Sequence, residues 1–290
     1  MLSITEQEER KTGKELYSYQ KGAIQKIFQC FETAPVDYHL LYQLPTGGGK
    51  TVIFSEIVSQ YLRTHKKKVL VMTHRIELCK QTSLVLTEFG VQNKVIDSKA
   101  NLEDQSEFEC FVAMVETLNN RLKDDKLDIS DIGLVIIDEA HYNSFTKLFK
   151  FFEKSFILGV TATPLSSNIE LPMTDNYNEL IVGESIESLI DNEFLAQANM
   201  YSYNVGLTSL VVGANGDYTV KSSEDLYTNN EMLSKLMEAY KERCDGKKTL
   251  IFNNGINTSL FVYDLFRSAG YQVAHLDNTA SKKERIQISL

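Results

Sequence analysis

Between Tyr38 and Thr51 the chain reads YHLLYQLPTGGGKT, and no other stretch restricts its fold as strongly. An apolar run of strand length ends at Pro45. Three glycines follow, and Lys50 and Thr51 open the segment VIFSEIVSQYL, whose apolar residues recur at helical spacing. The expected local structure is strand, phosphate loop, helix. Gly47, Gly48 and Gly49 let the backbone turn tightly behind Thr46 and aim successive amide hydrogens inward, because no side chain blocks the approach. The helix adds a partly positive N-terminus. Lys50 would reach the β and γ phosphates of a bound nucleotide, and the Thr51 hydroxyl would hold Mg²⁺. The strict pattern GxxxxGK(S/T) wants glycine where this chain has Leu44, and a glycine-rich turn before a helix also occurs without a ligand.

A second constraint lies at Leu134 to His141, LVIIDEAH. Four consecutive apolar residues read as a strand buried on both faces, with an acidic pair just past its end. Carboxylates are costly there unless a positive charge waits for them. A nucleotide-bound Mg²⁺ would be that charge. Asp138 would hold it through water, and Glu139 would accept a proton from an attacking water. Acids decorating a helix N-terminus are the ordinary alternative.

PTGGGKT, DEAH and TATP (Thr161 to Pro164) together resemble motifs I, II and III of the superfamily 2 helicases and translocases, in order and in spacing. Within that superfamily, VLVMTHRIELCKQ and the residues after TATP resemble the DEAH-containing branch that includes the helicase subunits of type III restriction enzymes. The resemblance implies ATP as substrate with Mg²⁺, and movement on or unwinding of nucleic acid, DNA rather than RNA. It implies that Gln20, in a YQ pair, reads the adenine edge, although Tyr17 stands where the family has arginine. Arg75, in motif Ia, is the implied contact to nucleic-acid backbone, with an internal ion pair as its other reading. Thr117, in motif Ib, either meets a phosphate or caps its helix. His141, Thr161 and Thr163 are implied to couple nucleotide state to a second domain, or else His141 is a structural histidine. Asn253, in the motif IV-like LIFNN, either touches nucleic acid or makes a turn.

Composition adds exclusions. The chain has 290 residues, 43% of them hydrophobic, enough for two domains with a core each. Thirty basic against 39 acidic residues leave a net charge of −9, which argues against a protein that coats nucleic acid through a general basic surface. The run Lys66, Lys67, Lys68 reads as a solvated turn. No run of membrane length is present and the N-terminus is charged, which sets the expectation of a cytoplasmic protein without a membrane partner. The four cysteines, Cys30, Cys79, Cys110 and Cys244, lack zinc-site spacing.

The expected fold is therefore α/β. Residues 1–13 form a loose tail, 14–203 a RecA-like P-loop NTPase domain with a parallel sheet, and 204–290 a partial second RecA-like domain. Helices are expected over LYSYQKGAIQKIFQCF, IELCKQTSLVLTEFG, SFTKLFKFFE, SIESLIDNEF and DLYTNNEMLSKLMEAYKERC. KKTLIFNN and YQVAHLD read as strands flanking a helix in the second domain, and 213–224 as a linker or exposed turn. Nothing in the chain matches motifs V and VI or the arginine that reaches the γ phosphate, worth about 10³ to 10⁵ in turnover. An incomplete, weakly active helicase core is expected, with any nuclease, methyltransferase or other subunit supplied in trans. The rival expectation is a nucleotide-binding switch or assembly module without sustained motor activity, which would not respond to DNA.

Overall fold

The computed structural model describes residues 15–35, 37–97, 107–123, 128–166, 170–214, 216–281 and 284–285. The expected tail at 1–13 and the last residues, 286–290, lie outside these. The chain divides into two compact units, residues 1–198 and 199–290.

The first unit is a seven-stranded sheet with helices on both faces. Its strands are β1 (His39–Gln43), β2 (Lys68–Thr73), β3 (Asn93–Ile96), β4 (Cys110–Met114), β5 (Ile132–Asp138), β6 (Phe156–Thr161) and β7 (Glu179–Val182). They run in the order β3-β4-β2-β5-β6-β1-β7, and every neighbouring pair is parallel. The helices are α1 (Ser18–Thr33), α2 (Lys50–Thr64), α3 (Ile76–Glu88), α4 (Val115–Lys123) and the short α5 (Ile186–Asp191).

The strand sequences are continuous apolar runs because both faces are covered. Successive side chains of one strand enter two separate cores. Leu40 and Tyr42, Val69 and Val71, and Leu134 and Ile136 pack on one face with Ile53, Phe54, Ile57 and Val58 of α2. Leu41, Leu70, Met72, Val135 and Ile137 pack on the other with Leu118, Phe145 and Leu148. Each such side chain contributes roughly 1.5–3 kcal/mol by burial. This double core holds the carboxyl ends of β1, β5 and β6 side by side.

Some expectations need correction. SFTKLFKFFE, expected as a helix, forms most of a 3-10 helix, Asn143–Phe151, that ends before Phe152. Its apolar residues explain the tighter winding, since Phe145, Leu148 and Phe151 recur every third position and so line one edge at three residues per turn. The strands β3 and β7 had no counterpart in the reading of the sequence.

In the second unit, DLYTNNEMLSKLMEAYKERC is two helices, α6 (Val220–Tyr227) and α7 (Asn230–Arg243). The break falls where the Asn229 side chain accepts the Met232 N–H at 2.9 Å and caps α7. Of the two readings for 213–224, linker or exposed turn, its first part is a turn closed by an antiparallel bridge between Val212 and Tyr218, and the rest enters α6. α8 (Ile256–Ser268) packs Val262 and Phe266 against Met237 of α7. KKTLIFNN and YQVAHLD are not laddered strands among the described residues. They still alternate in strand fashion, with Ile251, Tyr271 and Val273 against the helices and Leu250, Phe252 and Leu276 outward. In the first unit the first two strands are likewise not neighbours, being separated by β5 and β6.

Candidate active site

The chain turns from β1 into α2 through Leu44 to Gly49. Gly47 and Gly49 have φ of +87° and +86°, a left-handed conformation that favours glycine. A Cβ on Gly49 would also stand 2.5 Å from the Gln20 side-chain nitrogen. The Tyr19 hydroxyl donates to the Gly48 carbonyl at 2.7 Å, and the Gln20 amide donates to the same oxygen at 3.4 Å. Gln20 is buried, and its own oxygen accepts the Tyr17 N–H at 3.0 Å. Loop and α1 are thereby locked together. The Lys50 ammonium donates to the Leu44 carbonyl at 3.3 Å, and Thr51 is half-buried in the first turn of α2. Thr46 and Gly47 are exposed at the lip, where a Cβ on Gly47 would meet Leu195.

Asp138 ends β5 with only 8% of its surface exposed. Burial, reinforced by the charge of Glu139, pushes its carboxyl up to about 6; Lys50 and the Glu139 N–H, 3.0 Å away, pull in the opposite direction. Such a group calls for a cation. Glu139 takes a φ of +53°, rare for a residue with a side chain, and the Tyr142 N–H closes the turn on its carbonyl at 3.2 Å. Strain of this kind costs about 1–3 kcal/mol and clusters at functional sites.

The carboxyl ends of β5, β6 and β1 are stitched together. The Ala140 N–H donates to the Val160 carbonyl and the Leu44 N–H to the Thr161 carbonyl, both at 3.0 Å. The Thr161 hydroxyl donates to the Thr163 carbonyl and accepts the Thr163 N–H, each at 3.1 Å. Its remaining lone pair faces His141 Nδ1 at 3.0 Å, and Glu139 Oε2 is 3.4 Å from that nitrogen. Both neighbours accept, so the hydrogen belongs on Nδ1. His141 therefore links the acidic pair to the TATP segment through Thr161, while Thr163 reaches it only through Thr161.

These residues fit a Mg²⁺ carried on nucleotide phosphates. Among the described residues no three His, Cys, Asp or Glu side chains converge on a metal, so most ligands of a Mg²⁺ would come from phosphate and water, as is usual for this ion.

A model of the family described as type III restriction enzyme, res subunit, matches residues 13–166, more than half of the chain. The chain belongs to that family. It is a superfamily 2 helicase-type protein, and the match contains the loop, the acidic pair and TATP. The chain is 28% identical over 255 residues to a 51.5 kDa protein of Lactococcus phage (isolate 7-9), covering 86% of this chain and 51% of the phage protein. It is 31% identical over 175 residues to the ATP-dependent DNA helicase MPH1 of Saccharomyces cerevisiae, covering 53% of this chain and 16% of that protein. The Sulfolobus solfataricus SWI2/SNF2 ATPase core in complex with dsDNA shares the fold, with a TM-score of 0.51 and 15% identity over 95% of this chain and 75% of that one. The chain thus spans about half the length, or less, of the two sequence relatives.

The remaining candidate residues fall at two places. Arg75, exposed, precedes α3 at the end of β2, and Thr117 lies half-buried in the first turn of α4, after β4. Both share the sheet edge with the phosphate loop. Asn253 belongs to the second unit, in the wall of a cavity of about 450 Å³ beside Phe252, Asn254 and Tyr227. Reading the sequence missed Tyr19, Leu195 and Tyr142. Tyr19 had a local signal, since it adjoins Gln20. Tyr142 directly follows His141, but its contact with His74, like the approach of Leu195 to Gly47, joins residues distant in sequence.

Proposed function

We propose that this chain is the ATP-hydrolysing core of a nucleic-acid helicase or translocase, with DNA as its track. The reading is carried by one observation: a buried Asp138, followed by Glu139 on a strained left-handed backbone, feels the charge of Lys50 at the mouth of a glycine loop. Family membership supports it, as does the similarity to MPH1, an ATP-dependent DNA helicase.

In this reading Thr46, Gly47, Gly48 and Gly49 present backbone N–H groups to the phosphates, and Lys50 neutralises the β and γ groups. Thr51 and Asp138 would hold Mg²⁺, which, when bound, withdraws charge from the phosphate oxygens. Glu139 orients the attacking water and takes its proton. His141 fixes the Glu139 carboxylate through Nδ1–H, and Thr161 and Thr163 report its position to the segment leading to the second unit. Gln20 reads adenine; its contacts to Gly48 and Tyr17 set how the amide is presented. Arg75, Thr117 and Asn253 contact nucleic acid. Residues 14–203 make the first domain and 204–290 part of the second, and the protein works in the cytoplasm. No helix among the described residues is long and apolar enough to cross a membrane.

The test is ATP turnover and melting temperature in parallel. At ATP about 100-fold above its dissociation constant, binding should stabilise the chain by roughly 2.7 kcal/mol. Lys50→Ala should abolish this stabilisation. Glu139→Gln should keep it while slowing turnover by about 10²- to 10⁴-fold, and DNA should stimulate only the parent. Turnover at the parent rate in Glu139→Gln would defeat the assignment, and turnover indifferent to any nucleic acid would favour a nucleotide switch.

A further inference from the structure

The sheet order divides the proposed machinery into two halves. The side chains for phosphate, metal and attacking water follow β1, β5 and β6, whereas Arg75 and Thr117 follow β2 and β4. The boundary falls between β2 and β5, whose ladder pairs Met72 with Ile137 and ends just short of both sites. Beyond the ladder, three rings span this boundary. His74 lies against Tyr142 with centroids 4.4 Å apart, and Tyr142 lies against His141 at 4.3 Å. At one end His74 adjoins Arg75. At the other, His141 Nδ1 is 3.4 Å from Glu139 Oε2.

The three rings are in continuous contact along the column. His74 Nδ1 is buried without a hydrogen-bond partner, so packing, not hydrogen bonding at that nitrogen, locates this side of the ring. Burial, with the nearby Arg75 charge, also holds His74 below its ordinary range, favouring an uncharged ring against Tyr142. Tyr142 is tied at its backbone to the strained turn of Glu139. Any displacement of the β2 end therefore moves a ring that leans on the histidine holding the carboxylate.

We propose that Tyr142 is a positioning residue, and that the column His74–Tyr142–His141 transmits nucleic-acid contact at Arg75 to the Glu139 carboxylate. The inference rests on the proposed function and adds the route of its regulation. A duplex oligonucleotide at Arg75 biases the His74 ring, and the column brings Glu139 to its working orientation.

The chain has only five histidines, so side-chain nitrogen NMR can follow His74 and His141 individually while turnover is measured. In the parent, added duplex DNA should shift both resonances. In Tyr142→Ala, His74 should still respond and His141 should not. Stimulation of turnover should fall about tenfold in that variant, while DNA affinity changes by less than about threefold. Tyr142→Phe keeps the ring and should behave as the parent. His74→Ala breaks the column from its other end and should show the same loss, even if Tyr142→Ala fails to fold. The double variant should lose no more than either single one.

A His141 response of parental size in Tyr142→Ala overturns the relay, and so does a Phe variant as impaired as the Ala variant. A parent in which neither histidine nor turnover responds to DNA overturns the proposed function and the relay with it. A responsive parent with unaffected variants removes the relay alone.

Discussion

Asp138 should lower the stability of the ligand-free protein, and replacing it should make the chain more stable. Its carboxyl sits at about 6 in the folded state against an ordinary 3.8, with burial as the largest cause. The folded state thus holds the proton more tightly than the unfolded chain. Below pH 3.8 both states are protonated and nothing is lost. As pH rises from there, the unfolded state ionises first and stability falls, levelling off above the folded value. The cost grows from about 0.5 kcal/mol near pH 4 to about 3 kcal/mol near pH 7. Asn at this position keeps an oxygen for the Glu139 N–H and has no proton to lose. Its amide hydrogens need partners, which brings the net gain at neutral pH down to about 1–2 kcal/mol. At roughly 2–4 °C per kcal/mol, Asp138→Asn should melt several degrees above its parent near pH 7. Thermal unfolding of both proteins, followed by circular dichroism across this pH range without nucleotide, reads the difference. The two curves should converge towards pH 4. A variant no more stable than the parent at neutral pH, or a gap independent of pH, would refute the reasoning.

Three further substitutions test the geometry. Gly49→Ala forces a side chain into a φ of +86° and against Gln20; it should cost about 1–3 kcal/mol in urea unfolding and remove Mg-ATP binding, whereas unaltered binding would show that the loop tolerates a Cβ. Ile136→Ala, fully buried in the middle of β5, should lose about 2–5 kcal/mol in urea unfolding; a loss under about 1 kcal/mol would show that this face of β5 is not closely packed. Thr161→Val keeps the shape of β6 but removes the hydroxyl shared by His141 and Thr163. It should slow turnover about tenfold with KM unchanged, a pattern distinct from lost substrate binding, and a raised KM would place Thr161 in binding instead.

What was legible in the sequence was what neighbouring residues determine. The phosphate loop needs glycines at successive positions, and β5 needs an unbroken apolar run, so both announced themselves. β3 and β7 did not, because edge strands bury less and their sequences, NKVI and ELIV, are short and partly polar. SFTKLFKFFE shows that a helix packs on the sheet, but its mixed three- and four-residue apolar spacings do not say which kind of helix. The bond from Gln20 to the Gly48 carbonyl and the contact of Tyr142 with His74 join residues far apart in sequence, which no local pattern specifies.

The same distinction explains why the site can be both strained and precise. Asp138 and Glu139 are adjacent in sequence yet have opposite environments: one carboxyl is closed in by β5 and its neighbours, and the other is turned out by a left-handed backbone towards His141. Neither condition favours the ligand-free fold. Both persist because β1, β5 and β6 hold their carboxyl ends through buried side chains on two faces and through the backbone bonds Ala140 to Val160 and Leu44 to Thr161. A cation arriving with nucleotide would relieve the burial of Asp138, so part of the stability lost in the empty fold reappears as binding energy. Nucleotide affinity and stability should therefore move in opposite directions when the charge at position 138 is removed.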